Sequence, residues 1–287
     1  MPEGDTIRRL AGKISQRFIG ERCVRCVTRD PRLVGVDLAG AAIIDVDAIG
    51  KHLLIRFDNA QTLHSHLLMT GSWTVGPAAR EPEWRRRIEL WMDTGRLTGI
   101  DLPIVELIRT SDEQRVVGHL GPDLCGPEEP NIDDIVARMR GEPGEPLAAA
   151  LLDQRNVAGF GNVYAIEVPF ICGVSPNQPV GTIEGLAHLV GAGAAVIRTN
   201  AERGPQNTTG RRLNIADHWI YGRRGHPCPI CATTLDGWEE RVSPWRRVSV
   251  WCPSCQRTDD RRAVDSARLV KLLALHPARR QPSFPHT

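Results

Sequence analysis

The amino-acid sequence predicts a multidomain α+β protein, and three observations predict it. Residues 23–117 hold short β-prone runs punctuated by Gly, Asp and Asn; residues 132–202 switch to alanine- and leucine-rich helical spacing. Further on, Cys228-Pro-Ile-Cys231 and Cys252-Pro-Ser-Cys255 stand twenty residues apart. A strand-rich half followed by a helix-rich half reads as separate domains. At 287 residues the chain is long enough to bury more than one core.

The elements follow in order. Asp5 or Thr6 caps an amphipathic helix whose Ile7, Leu10, Ile14 and Phe18 recur at helical spacing. Strands are expected at Cys23–Val27, Ala42–Val46, His52–Phe57, Gln61–Leu67, Arg87–Met92, Gly95–Ile100, Val105–Arg109 and Val116–Val117. So many short strands with such breaks form a sandwich or a barrel-like domain. Asp93-Thr94-Gly95 fits a hairpin turn, and the Gly- and Pro-rich stretch 121–130 a linker. Helices are expected at Ile132–Arg140, Leu147–Gln154, Asn162–Cys172 and Thr182–Glu202. A short helix over Val264–Leu275 and a loose tail over Pro277–Thr287 end the chain. The domains are therefore placed at 1–128, 129–222, 223–258 and, as an extension, 259–287.

The two Cys-x-x-Cys pairs each offer two thiolates from one tight turn, the donor set of a closed tetrahedral zinc site. Cys228, Cys231, Cys252 and Cys255 are expected to hold one structural Zn²⁺. Cys23 and Cys26 have no second pair nearby, and a regular strand would point them to opposite faces, so they are read as structural, like Cys125 and Cys172.

Net charge is only +2, yet residues 203–287 hold 15 Lys and Arg against 7 acids, a net of +8, and the preceding residues 21 against 27, a net of −6. A basic C-terminal third points to a polyanionic partner. No apolar run is long enough to span a bilayer, and Met1 to Lys13 lack a signal-peptide core, so no membrane partner and a cytoplasmic location are expected.

Four short stretches bear on chemistry. If Met1 is removed, Pro2 presents a secondary α-amine, with pKa about 8 against about 10.4 for lysine, and can attack an aldehyde-like carbon near neutral pH. Condensation gives a cationic iminium directly, and Glu3 stands beside it as a proton carrier. Lys51 lies at the mouth of an apolar strand, and Met69 sits on a loop, a flexible apolar side chain of the kind that wedges between bases. Gly159 and Gly161, just before Asn162, could bring backbone amides to a phosphate at a helix N-terminus. Taken singly, each has an ordinary reading: a common second residue, a solvated lysine, a stray methionine, a helix connection.

Together they are similar to the formamidopyrimidine-DNA glycosylase and endonuclease VIII family. The resemblance rests on Met1-Pro2-Glu3-Gly4-Asp5-Thr6, Gly50-Lys51-His52-Leu53, Ser65-His66-Leu67-Leu68-Met69, Leu120-Gly121-Pro122-Asp123-Leu124, Gly159-Phe160-Gly161-Asn162, Tyr221-Gly222-Arg223-Arg224-Gly225 and the four cysteines. The opening resembles the endonuclease VIII branch. The resemblance implies an N-terminal β-sandwich, a helical domain with a helix-two-turn-helix element and a zinc-ribbon β-hairpin. It implies a monomeric enzyme that binds damaged DNA without a nucleotide cofactor. By matched position, Pro2 would be the Schiff-base nucleophile, Glu3 the acid/base and Lys51 a phosphate holder beside the lesion. Asn162, the amides of Gly159 and Gly161, and Arg247 would grip flanking phosphates, and Met69 would fill the hole left by the flipped nucleotide. The implied reaction is removal of oxidised bases, pyrimidines foremost, followed by β/δ elimination at the abasic site. Oxidised purines under the same mechanism, and a non-catalytic DNA-binding module, are the alternatives. Thr70 does not match the aromatic residue of some endonuclease VIII proteins, and the cysteine spacing is a few residues longer than usual.

Overall fold

The computed structural model describes residues 2–77, 80–210, 216–239 and 248–257. The chain divides into two compact units, Met1–His119 and Leu120–Thr287.

The first unit opens with helix α1 (Gly4–Phe18). It continues through strands β1 (Cys23–Thr28), β2 (Ile43–Ile49), β3 (His52–Phe57), β4 (Gln61–His66), β5 (Ser72–Gly76), β6 (Arg86–Met92), β7 (Gly95–Ile100) and β8 (Ile104–Arg109). A one-turn helix, α2 (Gln114–Val117), stands where the sequence suggested a last strand. Two valines after Glu113, Gln114 and Arg115 cannot supply the alternation of a strand, and their N–H groups turn back to Glu113 O at 3.0 and 3.1 Å. Strand β5, absent from the sequence reading, is a short strand directly after the turn that follows β4.

The strands form two antiparallel four-stranded sheets, in orders β1-β6-β7-β5 and β2-β3-β4-β8. Their inner faces share one core: Leu53, Ile55, Phe57 and Leu63 from one sheet, Ile88, Leu90 and Leu97 from the other, with Ile7, Ile14 and Phe18 of α1. This is a β-sandwich, and burial of those side chains, at about 1.5–3 kcal/mol each, is what holds α1 in place. The buried Trp73 indole donates to Ser65 Oγ across the sheets at 3.0 Å. A β-bulge lies between Cys23 and Arg25, where Cys23 pairs with Met92 and Cys26 with Leu90. The extra residue turns Cys26 to the face of Cys23, not the opposite one as a regular strand would. Burial pushes the Cys23 thiol up to about 11 and raises Cys26 as well, so both stay protonated and structural.

The second unit carries α3 (Ile132–Arg140), α4 (Leu147–Leu152), α5 (Asn162–Cys172), α6 (Leu186–Arg203) and a two-stranded hairpin, β9 (Asp236–Glu239) with β10 (Val248–Trp251). Helix α4 stops at Asp153, and α6 starts four residues later than its alanine pattern suggested, after a 3-10 turn at Val180–Thr182. Leu235, Val250, Cys228 and Cys252 of the cysteine hairpin belong to the same apolar core as Phe160, Tyr164, Phe170, Leu189 and Ile197. Gln256 Nε2 donates to Val174 O at 2.9 Å while its Oε1 accepts from Cys252 N at 2.9 Å, a second tie between hairpin and helices.

Glu167 of α5, wholly buried, organises the connection between helices and hairpin. Its carboxylate accepts from the Thr208 hydroxyl and, at 2.8 Å each, from the backbone N–H groups of Trp219, Ile220 and Tyr221. A Glu167→Ala protein would orphan two buried amides and the half-buried one of Tyr221, at about 1–3 kcal/mol for each buried group. Chemical denaturation should show a loss of roughly 3 kcal/mol or more; a change below about 1 kcal/mol would contradict this role.

Candidate functional site

In the first unit, Glu3 is the N-cap of α1, two or three residues before the cap expected from the sequence. Its carbonyl accepts from Thr6 N at 2.9 Å and Ile7 N at 3.1 Å, which fixes the backbone next to Pro2. Glu3 is fully buried, and Asp5, also buried, pairs with Arg9 at 3.1 Å. The positive end of α1 thus lies beside Pro2, where it disfavours a protonated amine.

Strands β2 and β3 join through two residues, Gly50 and Lys51, with Ile49 opposite His52. Gly50 has φ +58, the left-handed first position that a tight hairpin of this kind requires. His52 pairs with His66 on β4, so the Lys51 turn and the Leu67–Gly71 turn occupy the same end of the sheet. Arg8 pairs with Asp47 at 2.8 Å and Ser15 Oγ donates to Val46 O at 3.3 Å, so the N-terminus of α1 points to that end too. Pro2, Glu3, Lys51 and the exposed Met69 are therefore gathered at one end of the sandwich, although the sequence scatters them.

Behind that end lies a row of polar side chains that sequence reasoning missed. His64 Nδ1 lies 2.9 Å from Glu106 Oε1, and His64 Nε2 lies 2.8 Å from His52 Nδ1. The His52 and His64 rings stack at 5.1 Å, and His52 meets His66 edge-on at 4.9 Å. Burial is the main reason all three are held down as bases, His52 to about 3 and His66 to about 4. The signal was legible as His64-Ser65-His66: alternate residues of one strand share a face.

In the second unit, α4 and α5 are joined by residues 153–161, the helix-two-turn-helix connection. Gln154 braces it: Nε2 donates to Phe160 O and Leu152 O at 2.9 Å each, and Oε1 accepts from Gly159 N at 3.1 Å. The Gly159 amide, expected to meet a phosphate, is thus engaged inside the loop. Gly159 has φ +108, and Phe160 packs so closely on α6 that a Cβ at Gly193 would come within 2.4 Å of its ring. Gly161 caps α5, and Asn162, half-buried, is its first residue. Asn162 borders a cleft of about 510 Å³ that Glu145, Asn177, Trp238 and Ser249 also line. Trp238, exposed on β9, donates through Nε1 to Asn177 Oδ1 at 3.3 Å.

The Cys228, Cys231, Cys252 and Cys255 sulfurs lie within 4.8 Å of one another. Three of the separations are 3.4, 3.5 and 4.0 Å. A tetrahedron with Zn–S bonds of about 2.3 Å has S···S edges of about 3.8 Å, so the donor set fits one such ion. A hydrogen bond from Thr233 holds the Cys231 thiol down at about 6, whereas burial raises Cys252 and Cys255. Four thiolates at this spacing need a cation among them. Arg247, Met1 and the extension 259–287 lie outside the described residues.

Comparison with known proteins agrees with this arrangement. The model of the formamidopyrimidine-DNA glycosylase N-terminal domain matches residues 1–103. The DNA-(apurinic or apyrimidinic site) lyase Nei2 of Mycolicibacterium smegmatis is 40% identical over 259 residues, 89% of this chain and 99% of its own. Endonuclease 8 2 of Mycobacterium tuberculosis is 39% identical over 267 residues, 90% of this chain and 100% of its own. In fold, the chain is similar to the Lactococcus lactis formamidopyrimidine-DNA glycosylase solved with DNA containing an oxidised pyrimidine. The TM-score is 0.75 at 21% identity, covering 89% of this chain and 100% of that one. Near-complete coverage at 40% identity, together with the gathered N-terminal residues and the four-cysteine hairpin, decides the assignment. The chain belongs to the formamidopyrimidine-DNA glycosylase and endonuclease VIII family of DNA glycosylases and abasic-site lyases.

Proposed function

We propose that the protein excises oxidised bases, pyrimidines foremost, from DNA and cleaves the strand at the resulting abasic site through a Schiff base on Pro2. The observation that carries this reading is Pro2 and the buried Glu3 at the positive end of α1, at the end of the sandwich that also presents Lys51. The Pro2 nitrogen, freed by removal of Met1, attacks C1′ of the flipped nucleotide. The base leaves with the glycosidic electron pair, protonated at the expense of Glu3. The proton lost by the attacking nitrogen passes through Glu3 to O4′ as the C1′–O4′ bond opens, which gives the C1′ iminium; this acidifies the C2′ proton, whose removal expels the 3′ phosphate, and a second elimination releases the 5′ phosphate.

The other residues hold the substrate. Lys51 neutralises a phosphate beside the lesion, and Asn162 with the α5 N-terminus, and Arg247, five residues before Cys252 in sequence, bind flanking phosphates. Met69 occupies the gap in the duplex, since extruding a nucleotide costs a few kcal/mol of stacking. A Zn²⁺ held by the four cysteines would supply no chemistry to the reaction; it would brace the β9-β10 hairpin. The pyrimidine preference is supported by the likeness of the opening residues, and of the relatives at 39–40% identity, to endonuclease VIII. Duplexes with single lesions test it: excision of oxidised pyrimidines should exceed that of oxidised purines by at least about tenfold, or about 1.4 kcal/mol. Faster release of oxidised purines would overturn the preference and leave the Pro2 chemistry standing.

A further inference from the structure

We infer that His66 is a positioning residue whose Nδ1 lone pair fixes the turn presenting Met69, with the His52-His64-Glu106 row holding its ring. The inference rests on the wedge role proposed for Met69.

Strand β4 ends at His66, and two residues later Leu68 has φ +45. A leucine takes this left-handed conformation only where its surroundings impose it. The imposing contact is the Leu68 N–H, which donates to His66 Nδ1 at 3.1 Å. At the other end of the turn, Gly71 N donates to Leu67 O at 2.8 Å. A Cβ on Gly71 would lie 2.9 Å from both Leu67 O and Pro103 Cδ, so this end has no room to shift. Met69 stands between these two anchors with 47% of its surface exposed.

A backbone N–H can only donate, so His66 Nδ1 is unprotonated and Nε2 carries the ring proton. Protons along the neighbouring row are assigned by the same logic. Glu106 accepts from His64 Nδ1–H, which leaves His64 Nε2 to accept from His52 Nδ1–H. His52 is thereby pinned, and His66 leans edge-on against it. The groups facing this set are Lys51 from the β2-β3 turn, Glu106 from β8, Glu113 ahead of α2, and His119, whose ring lies 6.1 Å from that of His52. Burial and the nearby Lys51 ammonium keep His66 neutral, with an acceptor always present at working pH.

Asparagine and glutamine separate this role from a contact made by the other ring nitrogen. Asn Oδ1 falls where His Nδ1 stands, whereas the Gln amide reaches the Nε2 position. Full-length proteins would be titrated onto a duplex carrying an abasic-site analogue with 2-aminopurine beside it, whose fluorescence rises when stacking is broken. His66→Asn should keep at least half of the parental rise, and His66→Gln and His66→Ala should lose fivefold or more. Retention by His66→Gln with loss in His66→Asn, or retention by all three, overturns the inference. Met69→Ala is run beside them: if it leaves the rise unchanged, the wedge reading itself falls, independently of His66. A measurement on the unmutated protein needs no variant to fold: ring ¹⁵N spectra should show His66 with Nδ1 unprotonated from pH 5 to 8. A proton on Nδ1 in that range overturns the inference outright.

Discussion

A Pro2→Gly protein is expected to bind abasic-site DNA within about threefold of the parent and to lose roughly tenfold or more of the complex trapped by borohydride. The reason is electronic and geometric together. A secondary amine condensing with the sugar aldehyde gives an iminium that has no N–H to lose and stays cationic, the state that acidifies C2′. The primary amine of glycine gives an imine that must first be protonated. Geometry adds to this: Glu3 is tied by the N–H groups of Thr6 and Ile7, and α1 by Ile7, Ile14 and Phe18, so Pro2 has one rigid bond on which to move. Glycine there restores conformational freedom and loosens the amine. Parental trapping by Pro2→Gly would show that a secondary amine is not required. Parental trapping with an extra residue left ahead of Pro2, which turns its nitrogen into an amide, would show that another nitrogen is the nucleophile.

Removing the metal should have an effect of similar size by a different route. Chelation of bound zinc, or Cys231→Ser, is expected to weaken DNA binding by about 100-fold or more and to lower the melting temperature of the second unit. A free-standing hairpin would lose only itself. Here Cys228, Leu235, Val250 and Cys252 are part of the helical core, and Gln256 ties the hairpin to Val174, so the loss spreads into the helices. Four sulfurs, three of whose separations are 3.4–4.0 Å, become mutually repulsive once ionised and without a cation. Metal content, melting and affinity would be measured on one sample. Unaltered affinity after verified loss of metal would remove the hairpin from the DNA-binding surface.

Much of this was legible without coordinates, for identifiable reasons. Helical spacing of Ile7, Ile14 and Phe18, and the Cys-x-x-Cys turns, are local patterns in which neighbours along the chain are neighbours in space. The limits of α3 and α5 match the spacing as read, and the structure shows equally local stops: Asn131 caps the one, and Gly173, with φ +72, ends the other. Where a single inserted residue changes the outcome, local pattern failed. The bulge after Cys23 turned Cys26 to the core face.

The likeness of seven short motifs to one family, their order, and the donor set for one metal ion were properties of the chain as written. Strand register decided the rest. The pairing of His52 with His66 brings Lys51 and Met69 to one end, gathers three imidazoles beside Glu106, and turns a histidine nitrogen toward the Leu68 amide. The Gly159 amide was likewise claimed by a glutamine from the same loop and not left for a ligand. Such contacts depend on which rungs of a sheet face each other and which side chain reaches a backbone donor first. Those are distances across the fold, which spacing along the chain does not encode.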